Sequence, residues 1–361
     1  MRVIHTADIH LKDSSDERWR ALKKVIELAN EKECDVITIS GDLFDNTAQA
    51  EKLRGEIREL FANTKARVLI IPGNHDKNVF RSGYFFGENV HIFEDFSKPL
   101  VVRECCFWGL PYSDSSGQEV LRKLFKLKDK IESARSEANK HFLLIHTELL
   151  DDVFLPSDYG DEGEGRYMPV RLSYFEDIGL DYVLAGHFHT NCSIRKIPPS
   201  CFFIYPGSPV SITRKEIGKR KVVFIDTEAG AIDEMQLDSF HFEEINIFLD
   251  PFDECLPIDR IKNSLDNLDR NASLILKVSG YIDSRKSGVS EKLLWEQIHK
   301  LVEEQKISLA EEVHTEYKDV GIILSDDIFK NFNERLGEED IDPEAKDRLR
   351  KLLIRAMTEI L

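Results

Sequence analysis

Five short strings in this chain set metal-binding and proton-handling side chains directly after apolar runs. They are Asp8-Ile-His10, Gly41-Asp42, Gly73-Asn74-His75-Asp76, a lone His146, and Gly186-His187-Phe188-His189. Carboxylate, amide oxygen and imidazole together make the ligand set of a site for two divalent cations. Such a pair, about 3.5–4 Å apart, can clamp the attacking and leaving oxygens of a phosphoryl centre. So short a separation calls for a shared anion, and the Asp42 carboxylate has two oxygens to bridge with. Imidazoles suit manganese, iron or zinc, and carboxylate and amide oxygens tolerate the harder members of that set. Charge points the same way. Two dications with Asp8 and Asp42 as the only anionic ligands leave about +2, because His10, Asn74, His146, His187 and His189 bind neutral. A hydroxide and one phosphodiester oxygen would neutralise it.

His75 reads differently from its neighbour Asn74. Adjacent side chains on a turn diverge, so an Asn74 aimed at a metal leaves His75 to face the substrate. There it would act as general acid or charge stabiliser for the leaving oxygen. Asp76 or Asp45 would orient its second nitrogen. Gly41, Gly73 and Gly186 permit the tight turns and close backbone approach such loops need. One string alone carries little weight; five in this order carry a great deal. His5 reads as a packed strand histidine. His91, His141, His241, His299 and His314 have no partner motif, and Cys192 reads as packing rather than as a soft ligand.

The elements that must position these groups are legible as buried strands. Apolar runs at 2–5, 36–40, 68–71, 142–145 and 182–185 end in glycine, proline or polar residues. Helical patterns alternate with several of them, which predicts an α/β arrangement. In such sheets ligand chemistry gathers beyond the carboxyl ends of strands, so five separate loops can meet.

With D-x-H, G-D, G-N-H-D, a lone post-strand histidine and G-H-x-H in hand, the chain resembles the calcineurin-like metallophosphoesterases. IHTADIHL at 4–11, SGDLFD at 40–45 and YPGSPV at 205–210 narrow the resemblance to the SbcD-type nuclease subunit of the double-strand-break repair complex. GKRKVVFID at 218–226 resembles the strand that closes that nuclease domain. The resemblance is strong over residues 1–227 and loose beyond. It implies an αββα sandwich with a smaller C-terminal α+β capping domain that selects DNA. It also implies two metal ions, usually manganese. One would take Asp8, His10, Asp42 and His189, and the other Asp42, Asn74, His146 and His187, with His75 catalytic. The family's partners are DNA and an SMC-like coiled-coil ATPase of SbcC type; a homodimer is also possible. Asp45 stands where archaeal and eukaryotic members tend to carry histidine, which places the chain nearer the bacterial type.

Composition fits an enzyme of the cytoplasm. The 361 residues are enough for two domains, no apolar stretch reaches the length of a membrane span, and the six cysteines form no CxxC pair. The formal net charge of −17 runs against DNA binding and predicts weak, salt-sensitive contact by this chain alone. Two basic segments offset it locally. Arg214, Lys215, Lys219, Arg220 and Lys221 follow YPGSP and are the better candidates for DNA phosphate contacts; Arg122, Lys123, Lys126, Lys128 and Lys130 form the second. An acidic, Gly-rich loop at 157–166 should be mobile and exposed at the rim of the site. Two other functional readings stand beside the nuclease. One is a phosphodiesterase or phosphatase for small esters, and the other a DNA-end-tethering subunit with weak turnover.

Three segments are expected: a nuclease domain at 1–239, a capping module at 240–325 and terminal helices at 326–361. Within the module the pattern predicts strands at 240–249, 274–282 and 313–324 and helices at 257–268 and 290–305. Asp326 should cap a helix stopped by Gly337. Asp342-Pro343 should start another, with Leu349, Leu352, Leu353, Ala356, Met357 and Ile360 on one stripe. These helices either pack on their own domain or dock the ATPase.

Overall fold

The computed structural model describes residues 1–80, 85–135, 138–151 and 167–360; the acidic loop 157–166 falls outside them. The chain divides into two compact units, Met1–Phe242 and Glu243–Leu361.

The first unit carries twelve described strands. In chain order they are β1 Arg2–Thr6, β2 Val36–Ser40, β3 Arg67–Ile71, β4 Val90–Ile92, β5 Leu100–Val102, β6 Cys105–Leu110, β7 Lys140–His146, β8 Tyr182–Gly186, β9 Ser193–Ile197, β10 Cys201–Tyr205, β11 Lys221–Asp226 and β12 Ala231–Gln236. One sheet runs β12-β11-β1-β2-β3-β4 and the other β5-β6-β7-β8-β10-β9. The steps from β1 through β2 and β3 to β4 are parallel, as are those from β6 through β7 and β8 to β10. Antiparallel strands close the β12 edge of the first sheet and both edges of the second. Strands buried on both faces read as unbroken apolar runs, and β2 (VITIS) is buried at every position.

Three described α-helices cover the sheets: α1 Glu17–Glu31, α2 Thr47–Phe61 and α3 Gly117–Ala134. Each starts on a side-chain cap, from Asp16, Asn46 and the Ser116/Glu119 capping box. Alternation along each strand splits the core by face. Ile4, Ile37, Ile39, Val68 and Ile70 meet α1 and α2 on one side. Val3, Leu69 and Ile71 meet Phe107, Phe142, Leu144 and Leu184 between the sheets. Leu143, Ile145 and Val183 meet α3 on the far side. The layering is therefore helix, sheet, sheet, helix, the sandwich expected from sequence.

The second unit begins within β13 His241–Leu249 and continues through α4 Pro257–Leu265, β14 Ala272–Ile282, α5 Ser284–Ser287, α6 Glu291–Glu304, β15 His314–Asp319, α7 Gly321–Leu324, α8 Asp327–Glu338 and α9 Pro343–Ile360. Its sheet is β13-β14-β15, with Leu274, Leu276 and Val278 packed on Ile261, Leu294 and Ile298. Three details differ from the sequence expectation. The strand expected at 313–324 ends at Asp319, whose carboxylate accepts the Gly321 N–H at 3.0 Å and turns the chain into α7. Gly337 does not stop α8, which runs on to Glu338 before the backbone becomes extended at Glu339. On α9 the buried face is set by Ile354, with Leu353 and Met357 beside it, whereas Leu349, Leu352 and Ile360 are exposed. The Phe329 ring on α8 belongs to the same small core.

Candidate metal centre

Parallel order puts the carboxyl ends of β1, β2 and β3 along one edge of the first sheet, and those of β7 and β8 along one edge of the second. The two edges touch. The Ser40 hydroxyl at the end of β2 donates to the Leu184 carbonyl of β8 at 2.8 Å, and His146 Nδ1 lies 2.9 Å from the Ser40 carbonyl. His5 spans the same seam, with one ring nitrogen 3.1 Å from Thr38 Oγ1 and the other 3.2 Å from the Ala185 carbonyl. It is a packed strand histidine, and burial lowers its pKa to about 4. Contact this close leaves no room for side chains: a Cβ on Gly41 would overlap the His146 ring, and one on Gly186 the Ser40 carbonyl.

The loops leave the strands on strained backbone. Asp8, His10 and Asp42 have φ of 54°, 52° and 52°, and His187 has 98°. Non-glycine residues reach this region only where their surroundings hold them, most often at functional sites. Here the Asp8 carboxylate accepts the His187 N–H at 3.0 Å, and Asp42 Oδ1 accepts the His75 N–H at 2.9 Å.

The structure brings the candidate ligands together. Asp8, His10 and His189 present donor atoms within 4.8 Å of one another, as do Asp8, Asp42 and His146, and also His10, Asp42 and His75. His189 Nε2 is 3.8 Å from Asp8 Oδ1; His146 Nε2 is 3.3 Å from Asp42 Oδ2 and 2.8 Å from Asn74 Oδ1. The His187 ring centroid lies 5.1 Å from that of His146. His75 is exposed, its ring edge-on to His10 at 4.8 Å.

A dry protein interior would not keep such a set without something to hold. His10 Nε2 and Asp42 Oδ2, 3.8 Å apart, are both buried without a well-formed hydrogen bond, an expensive condition unless an ion takes both. Burial disfavours charge on Asp8, partly opposed by His189 and His146, and its pKa rises to about 6. Burial also opposes the His146 imidazolium, but the Asp42 and Asp8 carboxylates outweigh it and raise its pKa to about 10. Asp42 is held low against the same burial by His146, His10 and His75. This pattern suits cations. The residues present fit two divalent metals.

The other sequence candidates settle elsewhere. Asp76 is fully buried and accepts the Gly73 and Phe44 N–H groups at 2.7 and 3.2 Å, so it braces the GNHD loop. Asp45 accepts from Arg18 at 3.2 Å and lies 3.9 Å from His10 Nδ1, so it sits behind His10. Among the candidate phosphate contacts, Arg214, Lys215 and Lys219 are exposed and Lys221 pairs with Glu234 at 2.6 Å. Arg220 is not a surface contact: it is buried and donates to the carbonyls of Ser208, Thr190 and His189. The second basic segment lies on α3, where Lys123 is spent on Ser113 and Ser115. Cys192 packs at the edge of the inter-sheet core, its thiol pushed up to about 12 by burial.

Three neighbours of the site escaped the sequence reading. Tyr112 and Tyr167 line its histidine side, with ring centroids 6.2 Å from His146 and 4.8 Å from His187 respectively. Glu216 is wholly buried, 3.5 Å from His189 Nδ1. Its signal was faint: one acid in the basic run after YPGSP.

Residues 1–191 match the calcineurin-like phosphoesterase family, just over half of the chain and every candidate ligand in it. The chain belongs to that family. Calcineurin-like phosphoesterases use a dinuclear divalent metal centre to hydrolyse phosphoester bonds, and this one presents candidate ligand groups for it. Solved structures similar to this phosphoesterase include an archaeal phosphodiesterase (14% identity, covering 66% of this chain and 100% of that one, TM-score 0.31). A dimetal phosphatase from Danio rerio is 10% identical over 62% of this chain and 91% of its own, with a TM-score of 0.40. A 5'-nucleotidase precursor from Thermus thermophilus is 15% identical over 66% and 54%, again at 0.40. Among the described residues no helix is long and apolar enough to cross a membrane.

Proposed function

We propose that this phosphoesterase is a metal-dependent DNA nuclease of SbcD type that works in the cytoplasm with an SMC-like ATPase in double-strand-break repair. When bound, two divalent cations, manganese by preference, supply a water of lowered pKa and offset charge developing on phosphorus. Asp8, His10, Asp42 and His189 would hold one cation, and Asp42, Asn74, His146 and His187 the other. The exposed His75, fixed at its backbone by Asp42, keeps its ring beside His10 at the open side of the site, where it can protonate the departing sugar oxygen. Tyr112 and Tyr167, with ring centroids 6.3 Å apart beside the histidines, would supply aromatic surface for a base.

The observation that carries the DNA reading is where YPGSPV lies. Its Ser208 N–H donates to the His189 carbonyl at 3.0 Å, so the string that distinguishes SbcD-like chains is bonded directly to the GHFH loop. The second unit would then act as the cap that selects DNA. The exposed Ile328, Leu349 and Leu352 of α8 and α9 would meet the ATPase. Deletion of residues 338–361 separates the two uses of these helices: an active, soluble stub that no longer binds the ATPase supports docking, and loss of solubility opposes it.

The acidity of the chain favours a second reading, a phosphodiesterase or phosphatase for small esters. End-labelled linear DNA incubated with manganese, with His75→Ala as control, decides. Products that require manganese and disappear in the variant support the nuclease. Intact DNA beside brisk hydrolysis of bis- or mono-nitrophenyl phosphate would give the case to the small-ester enzyme.

A further inference from the structure

Glu216 is a carboxylate with 0% exposure, on a loop that carries no ligand motif. Its four shortest contacts explain how it is tolerated. Oε2 accepts the Ile212 N–H at 2.9 Å and the Ser208 hydroxyl at 3.2 Å; Oε1 accepts the Thr213 N–H and hydroxyl, both at 3.2 Å. That much would serve a loop buckle. The fifth neighbour is different. Oε1 also lies 3.5 Å from Nδ1 of His189, whose Nε2 on the opposite side of the ring faces Asp8 at 3.8 Å. The imidazole thus lies between two carboxylates, one within the candidate metal centre and one behind it. Arg220 donates to the His189 carbonyl from the same loop, fixing the backbone.

We infer that Glu216 is a positioning residue for His189: it accepts the Nδ1 proton, so that the Nε2 lone pair points at the cation shared with Asp8 and His10. A histidine that binds metal through one nitrogen needs its other N–H anchored, and a carboxylate there fixes tautomer and ring angle and raises ligand basicity. Two features favour this over a purely structural acid. A buckle needs only neutral acceptors, yet the chain buries an anion beside a ring that has to donate. The arrangement is also one-sided: His146, on the other half of the centre, uses its Nδ1 against the Ser40 carbonyl instead. Glu216 should therefore govern one cation and leave the other alone.

The inference rests on the metal-centre reading, so the test is metal binding itself. Manganese chloride is titrated into the full chain of the wild type, Glu216→Gln and Thr213→Val, with heat and bound-ion paramagnetic resonance as readouts. Glu216→Gln should weaken one of two sites by about 10–100-fold and spare the other. Thr213→Val removes a different partner of the same carboxylate and should leave both sites near wild type. Equal weakening of both sites in Glu216→Gln, or the same loss in Thr213→Val, would make Glu216 a loop brace and overturn the proposal. Unchanged binding in Glu216→Gln would do so too. A wild type that takes up no manganese would instead sink the metal centre, and this role with it. The His189 tautomer in the metal-loaded wild type, read from its ring nitrogens by nuclear magnetic resonance, decides the matter even where Glu216→Gln does not fold. A proton on Nδ1 supports the assignment and a proton on Nε2 refutes it.

Discussion

Among single residues, Asp42 has the most depending on it. Its carboxylate lies within reach of His10, His146 and His75, on backbone at φ 52°. Asp42→Ala should abolish both metal sites, because its carboxylate is the ligand proposed for both cations; elemental analysis of the purified variant should find under one ion per chain. His75→Ala should keep two ions and lose turnover by about 10²–10⁴-fold. Full activity in that variant, measured on a diester substrate, would remove His75 from the mechanism. These residues were legible in the sequence because each motif is local and follows its own strand. Glu216 was not, and Arg220, read as a surface phosphate contact, proved to be buried. What makes them matter is a loop folding back on a histidine well upstream, which no periodicity records.

At the scale of elements, the strand ends are where sequence and packing agree most closely. The runs that ended in glycine or proline became the parallel strands, and their glycines mark the seam. Gly186→Ala should destabilise the first unit by about 1–3 kcal/mol, since the added methyl meets a backbone carbonyl that has nowhere to go. Gly55, inside α2 with open space around it, should behave in the opposite way, Gly55→Ala adding about 0.5–1 kcal/mol. Urea titration of the two variants checks both signs. Helix faces were harder to read. On α9, apolar residues at 349, 352, 353, 354, 356, 357 and 360 exceed what one stripe can hold, and only the small core around Val320 and Phe329 selects Ile354.

For the whole molecule, charge and division into units set the expectations. A chain of net −17 should hold DNA weakly, and its apparent affinity should fall steeply as salt is raised; tight binding indifferent to salt would contradict the local-charge picture. Residues 1–242 form a compact unit containing every candidate ligand, so that fragment should fold and retain two metal sites in calorimetry. The seam beneath those sites has a mechanical consequence as well. With the proposed ligands rooted in different sheets, each cation would be a rivet through the sandwich, offsetting the carboxylates and imidazoles gathered where the sheets meet. An ion at a hundred times its dissociation constant would add about 2.7 kcal/mol to this unit alone. Chelation should therefore lower the melting temperature of the first unit and leave that of the second where it was, and loss of the metal would loosen the protein's frame as well as stop its chemistry.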